Sequence, residues 1–302
     1  ATKFSHDNEI AKPHYYKVML DNGITTEMAP TTRGVHLRFS YPSTEEAYLV
    51  IDGYTDMSEI KIDPAKRQIS GWVNNQRFVN NSKTFRSYFV VQFDKAFEDY
   101  GMWENQKDEI YPKKLEGEGY GAYIKFKKGS KVQAKAASSY ISAEQAVITL
   151  NDELGKDKNL EATKARGYKT WNELLNRIQV EGGTDEQMNT FYSCLFRANL
   201  FSRKFYERKA NGEPYYYSPY DGKVYDGYMY TDNGFWDTFR CLFPDQYSSS
   251  HYARTLHECF ARRTGTMRMA TILVGSRRNG RNVGQSFYFI TGRRMGKRYP
   301  YL

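Results

Sequence analysis

A chain of 302 residues with 40% apolar side chains is long enough to bury a sizeable core, which excludes a disordered polymer and a disulfide-held miniprotein. Its three cysteines, Cys194, Cys241 and Cys259, match neither a zinc pair nor a CxxC redox turn, and no apolar run approaches the roughly 18 residues of a membrane span. The formal charge of +9 is local: residues 259–302 carry ten Arg and Lys and no Asp or Glu, so the rest holds 34 positive against 35 negative charges, or −1.

From Tyr15 to about Leu150, short β-branched and aromatic segments alternate with turn signals. They are YYKVML before DNG, VHLRFSY before PST, AYLVI before DG, QISGWV before NN, SYFVVQF, AYIKFK before KGS, and QAVITL before ND. This spacing predicts the antiparallel strands of a sandwich, with Asp21-Asn22-Gly23 and Asp52-Gly53 as turns.

After Asn151 the period changes. Ala162, Ala165, Tyr168, Trp171, Leu174, Leu175 and Ile178 recur at three- and four-residue steps, which predicts a helix that Gly182-Gly183 stops. Thr184 and Gln187 then form a capping box, and Met188, Phe191, Tyr192, Leu195, Phe196, Leu200 and Phe201 continue an apolar stripe on a second helix. Two adjacent helices with short punctuation open an antiparallel helical array.

The stretch FYERKANGEPYYYSPYDGKVYDGYMYTDNGFWDTFRCLFP, residues 205–244, sets tyrosines among aspartates, glycines and asparagines. Its many helix-breaking residues predict a long loop running into a short helix near Trp236. Aromatic faces beside carboxylates suit sugar recognition: the ring covers the apolar C–H face of a pyranose while Asp or Arg takes hydroxyls in two-point hydrogen bonds. The same composition equally fits a loop that only packs between domains.

Four blocks, FSHDNEIAKPHYYKVML, APTTRGVHLRFSYP, WNELLNRIQVEGGTDEQMNTFYSCLFRANLF and YMYTDNGFWDTFRCLFP, closely resemble glycoside hydrolase family 92, the calcium-dependent exo-acting α-mannosidases. The resemblance runs from Phe4 to Pro244. It implies a mainly β fold with α: a partial N-terminal β-sandwich over 1–152, linker helices and a Tyr-rich subsite loop over 153–244 that begin a truncated (α/α)6 barrel, and a basic tail over 245–302. It also implies hydrolysis of terminal α-linked mannose with inversion, in which a Glu acid and an Asp base flank the ring and a bound Ca2+ contacts the sugar hydroxyls. Both carboxyl groups fall downstream of this chain, which by itself is expected to be inactive and to lack most of the calcium ligands.

The resemblance of FWDTFR to the family's motif implies that Trp236 and Asp237 line the terminal-mannose subsite as a stacking face and a two-hydroxyl acceptor; the competing reading has Trp236 capping an interface and Asp237 capping a helix. Arg240, three residues on, can fix the Asp237 carboxylate. Asp232 and Asn233 fit subsite or turn equally well. His6, inside the first block, is read as a hydrogen-bonded structural residue.

The family's Gly-rich opening and first strands are absent upstream, and ATKFSHDNEI has no secretion-signal pattern; secretion to a periplasm or cell surface is implied for the intact parent alone. After Pro244 the resemblance is expected to stop, and the Arg-rich tail reads as the product of a frameshift. Taken at face value, that tail makes a polyanion-binding arm, although nothing before it resembles a nucleic-acid module. A third reading is a noncatalytic carbohydrate-binding module. The expected partner is a mannose-containing oligosaccharide, with no specific nucleic acid and no membrane span; linkage preference and oligomeric state are not legible.

Overall fold

In a computed structural model, residues 2–53, 58–74, 85–104, 109–200, 203–219 and 221–231 are described, together with the paired dipeptides Arg277–Arg278 and Arg281–Asn282. The chain forms two compact units, Ala1–Phe196 with Glu207–Gly227, and Arg197–Tyr206 with Tyr228–Leu302.

The first unit begins with thirteen strands: β1 (Phe4–Lys12), β2 (Tyr15–Leu20), β3 (Thr25–Pro30), β4 (Gly34–Ser40), β5 (Ala47–Ile51), β6 (Ser58–Asp63), β7 (Gln68–Asn74), β8 (Arg86–Phe93), β9 (Asp99–Glu104), β10 (Glu109–Pro112), β11 (Glu116–Glu118), β12 (Tyr120–Phe126) and β13 (Lys131–Ser139). They make a nine-stranded sheet, β1-β2-β3-β4-β13-β8-β7-β6-β11, and a four-stranded sheet, β10-β9-β12-β5, with every pairing antiparallel.

Side chains two apart on a strand share a face, and that alternation builds the core. Phe39, Ile60, Ile62, Ile69, Phe93 and Val132 from the large sheet meet Ala47, Met102, Ala122, Ile124 and Phe126 from the small one in a single buried cluster. The result is a β-sandwich. The Asp21-Asn22-Gly23 turn forms as expected: Gly23 holds φ +83°, a conformation that favours glycine, and its N–H donates to the Leu20 carbonyl at 2.8 Å.

One expected strand is a helix. QAVITL lies in α1 (Ala143–Leu154), where the Ser142 hydroxyl accepts the Gln145 N–H at 3.1 Å and caps the start. Ala146, Leu150 and Leu154 recur every four residues and pack on Val90 and Ala137, covering the outer face of the large sheet. The β-branched run was a misleading signal because six residues are too few to separate a period of two from one of 3.6.

Helix α2 (Leu160–Leu175) starts at Asn159, whose side chain accepts the Ala162 N–H at 3.0 Å. Its first turn seats Leu160 against Tyr15 and Ala29. A polar network secures it: His36 Nδ1 lies 3.0 Å from Thr163 Oγ1, the Thr163 hydroxyl donates to Asp157 at 2.8 Å, and Arg166 pairs with Asp157 at 2.6 Å. Burial, aided by the Lys135 charge, pushes the His36 pKa down to about 4, so this imidazole is neutral at physiological pH.

Helix α3 (Asp185–Ala198) opens with the predicted capping box: Thr184 N–H donates to Gln187 Oε1 at 3.0 Å, and Gln187 N–H to Thr184 Oγ1 at 3.3 Å. Trp171 of α2 meets Phe196 of α3 edge-on at 4.8 Å. The remaining apolar stripe of this pair is only half-buried.

Candidate functional site

The Tyr-rich stretch is organised by short strands rather than by the irregular loop its composition suggested. They are β14 (Arg203–Lys204), β15 (Glu207–Arg208), β16 (Pro214–Tyr217), β17 (Val224–Asp226) and β18 (Tyr230–Thr231). Its glycines mark the corners: Gly212 and Gly222 hold φ +86° and +74° in the turns on either side of β16.

In the first unit β15, β16 and β17 form a three-stranded antiparallel sheet. Alternation along β16 separates its tyrosines. Tyr215 donates its hydroxyl to Gln145 Oε1 at 2.5 Å, and the Tyr217 ring stacks on Phe85 at 5.7 Å, while Tyr216 pairs with Tyr225 at 5.9 Å. Phe85 in turn contacts Tyr140 at 5.3 Å. Gln145, only 1% exposed, uses both ends of its amide: besides accepting from Tyr215, it donates to the Arg208 carbonyl at 2.7 Å. One residue of α1 therefore fastens both β15 and β16.

Glu207 is the other fastening. It is 2% exposed, and its Oε1 accepts the Tyr140 N–H at 2.7 Å, whereas its Oε2 has no hydrogen-bond partner. Burial pushes its carboxyl above the ordinary range, against the pull of the Arg33 charge, of the Ser139 hydroxyl and of the Tyr140 N–H. The neighbouring Tyr215 phenol is raised as well, by burial and by Glu207.

In the second unit β14 pairs with β18. The Phe205 and Tyr206 amides both donate to the Met229 carbonyl, at 2.8 and 3.2 Å, and the Tyr206 ring meets Tyr228 edge-on at 4.8 Å and Tyr230 at 5.7 Å. Asp232, Asn233, Trp236, Asp237 and Arg240 lie outside the described residues, as does the short helix expected near Trp236. His6 sits on β1 with Nδ1 2.6 Å from Glu9 Oε2, the hydrogen-bonded arrangement expected of it. Among the described residues, no group of three or more His, Cys, Asp or Glu side chains can hold a metal ion.

Sequence reading did not single out Gln145 or Glu207. Their partners lie 63 to 70 positions away along the chain, so no local pattern marks them.

Residues 1–139 match the glycosyl hydrolase family 92 N-terminal domain, and residues 145–256 match the glycosyl hydrolase family 92 catalytic domain. The second match continues past Pro244, beyond the point where the resemblance was expected to stop. The structure is similar to that of a family 92 inverting mannosidase from Bacteroides thetaiotaomicron VPI-5482, with a TM-score of 0.77 and 41% identity, covering 82% of this chain and 34% of that one. It shares its fold with a family 92 α-mannosidase from Bacteroides thetaiotaomicron in complex with mannoimidazole, at TM-score 0.68 and 24% identity over 80% of this chain and 33% of that one. An uncharacterized secreted glycosidase of Arthroderma benhamiae is 24% identical over 229 residues, 66% of this chain and 29% of that protein. The chain thus spans about a third of the length of these relatives.

Proposed function

The chain belongs to glycosyl hydrolase family 92, and we propose that it supplies the sandwich and one sugar-holding segment of an α-mannosidase that removes terminal α-linked mannose. The observation that carries this reading is the pair of consecutive family matches, joined to 41% identity with an inverting mannosidase.

In this reading Trp236 offers its indole plane to the C–H face of the terminal mannose, and Asp237 accepts from two of its hydroxyls. Arg240 holds the Asp237 carboxylate. Inversion requires an acid and a base about 6.5–9.5 Å apart on opposite faces of the ring, with room for a water beside the base. Both belong to parts of the family protein outside this chain. The division of labour is then binding here and proton transfer elsewhere.

Calcium, which the family resemblance implies, meets no group of three or more His, Cys, Asp or Glu side chains among the described residues. Secretion of the intact protein is proposed on the description of the Arthroderma benhamiae relative.

The test is hydrolysis of an aryl α-mannoside by the purified 302-residue chain, with and without a chelator. The proposal predicts no turnover in either condition. Turnover that the chelator abolishes would place the acid, the base and the metal within this chain and overturn the division of labour.

A further inference from the structure

The four-stranded sheet buries Met102, Ala122, Ile124 and Phe126 on its inner face, each at most 1% exposed. Alternation sends Gly101 and Trp103 of β9, and Gly121 and Tyr123 of β12, to the outer face. In the ladder Trp103 stands opposite Gly121, and Tyr123 stands opposite Gly101. The segments Gly101-Met102-Trp103 and Gly121-Ala122-Tyr123 thus run antiparallel, each aromatic facing the other strand's glycine.

The rings occupy the space that the glycines leave. A Cβ on Gly121 would fall 2.1 to 2.4 Å from three atoms of the Trp103 indole, and a Cβ on Gly101 would fall 2.6 and 2.8 Å from Oη and Cε1 of Tyr123. Both rings therefore lie down across the neighbouring strand and are half-buried, so part of each reaches the surface. Val50, opposite Tyr123, is 57% exposed, and Ile110, opposite Trp103, is 66% exposed. Helices α1 and α2 pack on strands of the nine-stranded sheet instead.

The charges beside this plane are largely matched: Asp99 with Lys113 at 2.5 Å, and Glu46 with both Lys125 at 2.7 Å and Lys128 at 2.5 Å, which leaves one lysine in excess. A surface so nearly neutralised has only a weak field to gather a polyanion or an acidic peptide, and it complements an uncharged ligand. Protein partners anchor through side chains that fill pockets, whereas two flat rings make a shallow plane. Such a plane matches the apolar C–H face of a pyranose.

The geometry points to a sugar-binding face on which an uncharged polysaccharide lies across Trp103 and Tyr123, its hydroxyls reaching the Asp99–Lys125 row. That row lies two residues further along the strands, about 7 Å away, within the reach of one sugar ring. The face is built wholly from the sandwich, so it stands whether or not Trp236 and Asp237 hold mannose.

The experiment is affinity electrophoresis of the full 302-residue chain through gels cast with mannan, β-glucan or xylan, with Trp103→Ala, Trp103→Tyr and Tyr123→Ala variants alongside. Retardation by at least one neutral polysaccharide is expected. Each alanine variant is expected to weaken it about tenfold, the factor carried by about 1.4 kcal/mol of lost ring contact. Trp103→Tyr retains most of the retardation, because a flat ring still covers Gly121. Circular dichroism identifies any variant that fails to fold, and the tyrosine variant together with Ile110→Ser, a change at an exposed position, then reads the face. Unretarded wild type overturns the proposal, as does retardation that is equal in every folded variant. Concentration-dependent self-association that Trp103→Tyr or Ile110→Ser abolishes also overturns it, by assigning the face to a second copy.

Discussion

Replacing Glu207 with glutamine separates the charge of this side chain from its shape. The wild-type carboxyl is 2% exposed, holds the Tyr140 amide at 2.7 Å through Oε1, and leaves Oε2 without a hydrogen bond. Its pKa in the folded chain is raised above the ordinary 4.5, chiefly by burial. Folding therefore takes up a proton above about pH 4.5, and the stability this provides is complete below that pH and lost as pH rises through the folded value. Above the folded value an ionised carboxylate is buried with one oxygen unsatisfied. Glutamine keeps the volume and the acceptor for Tyr140 and carries no charge at any pH.

The variant should match wild type near pH 4 and exceed it toward neutrality by about 1–3 kcal/mol, the usual cost of an unsatisfied buried polar group. Urea denaturation of both proteins, followed by tryptophan fluorescence from about pH 4 to about pH 8, measures the gap directly. A gap that is constant, or that closes as pH rises, would show that Glu207 is ionised and well paired in the folded chain, and would refute the reasoning.

Three further substitutions probe the packing. Leu154→Ala, at a fully buried position in the last turn of α1, should cost about 2–5 kcal/mol in chemical denaturation, because the cavity adds to the lost transfer energy. Arg38→Met should be destabilising by about 3–5 kcal/mol, since Arg38 holds both oxygens of the 8% exposed Glu27 at 2.6 Å and its loss leaves a buried carboxylate with the Tyr15 hydroxyl but no paired cation; calorimetry reads the drop in Tm. Thr184→Ala removes a hydroxyl that caps α3 and should cost about 0.5–2 kcal/mol, with hydrogen exchange fastest in the first turn of that helix.

Strands were legible where β-branched and aromatic residues were bounded by turn chemistry. AYLVI and YYKVML coincide with β5 and β2. Strands such as β13, KVQAKAASS, escaped notice because alanine and lysine carry little β preference; that strand forms because β4 and β8 pair with it on both sides. QAVITL failed in the opposite direction, its local preference overridden by the Ser142 cap and by the apolar face it lays on Val90 and Ala137.

In the Tyr-rich stretch the Gly, Pro and Asn residues were read as helix breaks, yet its glycines are the corners of a small sheet whose strands the tyrosines form. The residues that fix this sheet, Gln145 and Glu207, act through distant partners, and only the fold brings those partners together. The aromatic face was equally silent: Gly-x-Trp and Gly-x-Tyr acquire meaning only once the register sets them opposite each other. Trp236 and Asp237 are proposed on family resemblance alone, since two residues carry no periodicity of their own, and both lie outside the described residues.

Titration of the chain with methyl α-mannoside, followed by ligand-observed NMR, tests the central claim most directly. Saturation transfer to the sugar is expected in the wild type and in Trp103→Ala, and in the Trp103→Ala background, which removes the sandwich face, it should vanish on adding Trp236→Ala or Asp237→Asn. Transfer that persists unchanged in both of the latter variants would contradict the account, because the mannose-holding segment would then lie elsewhere.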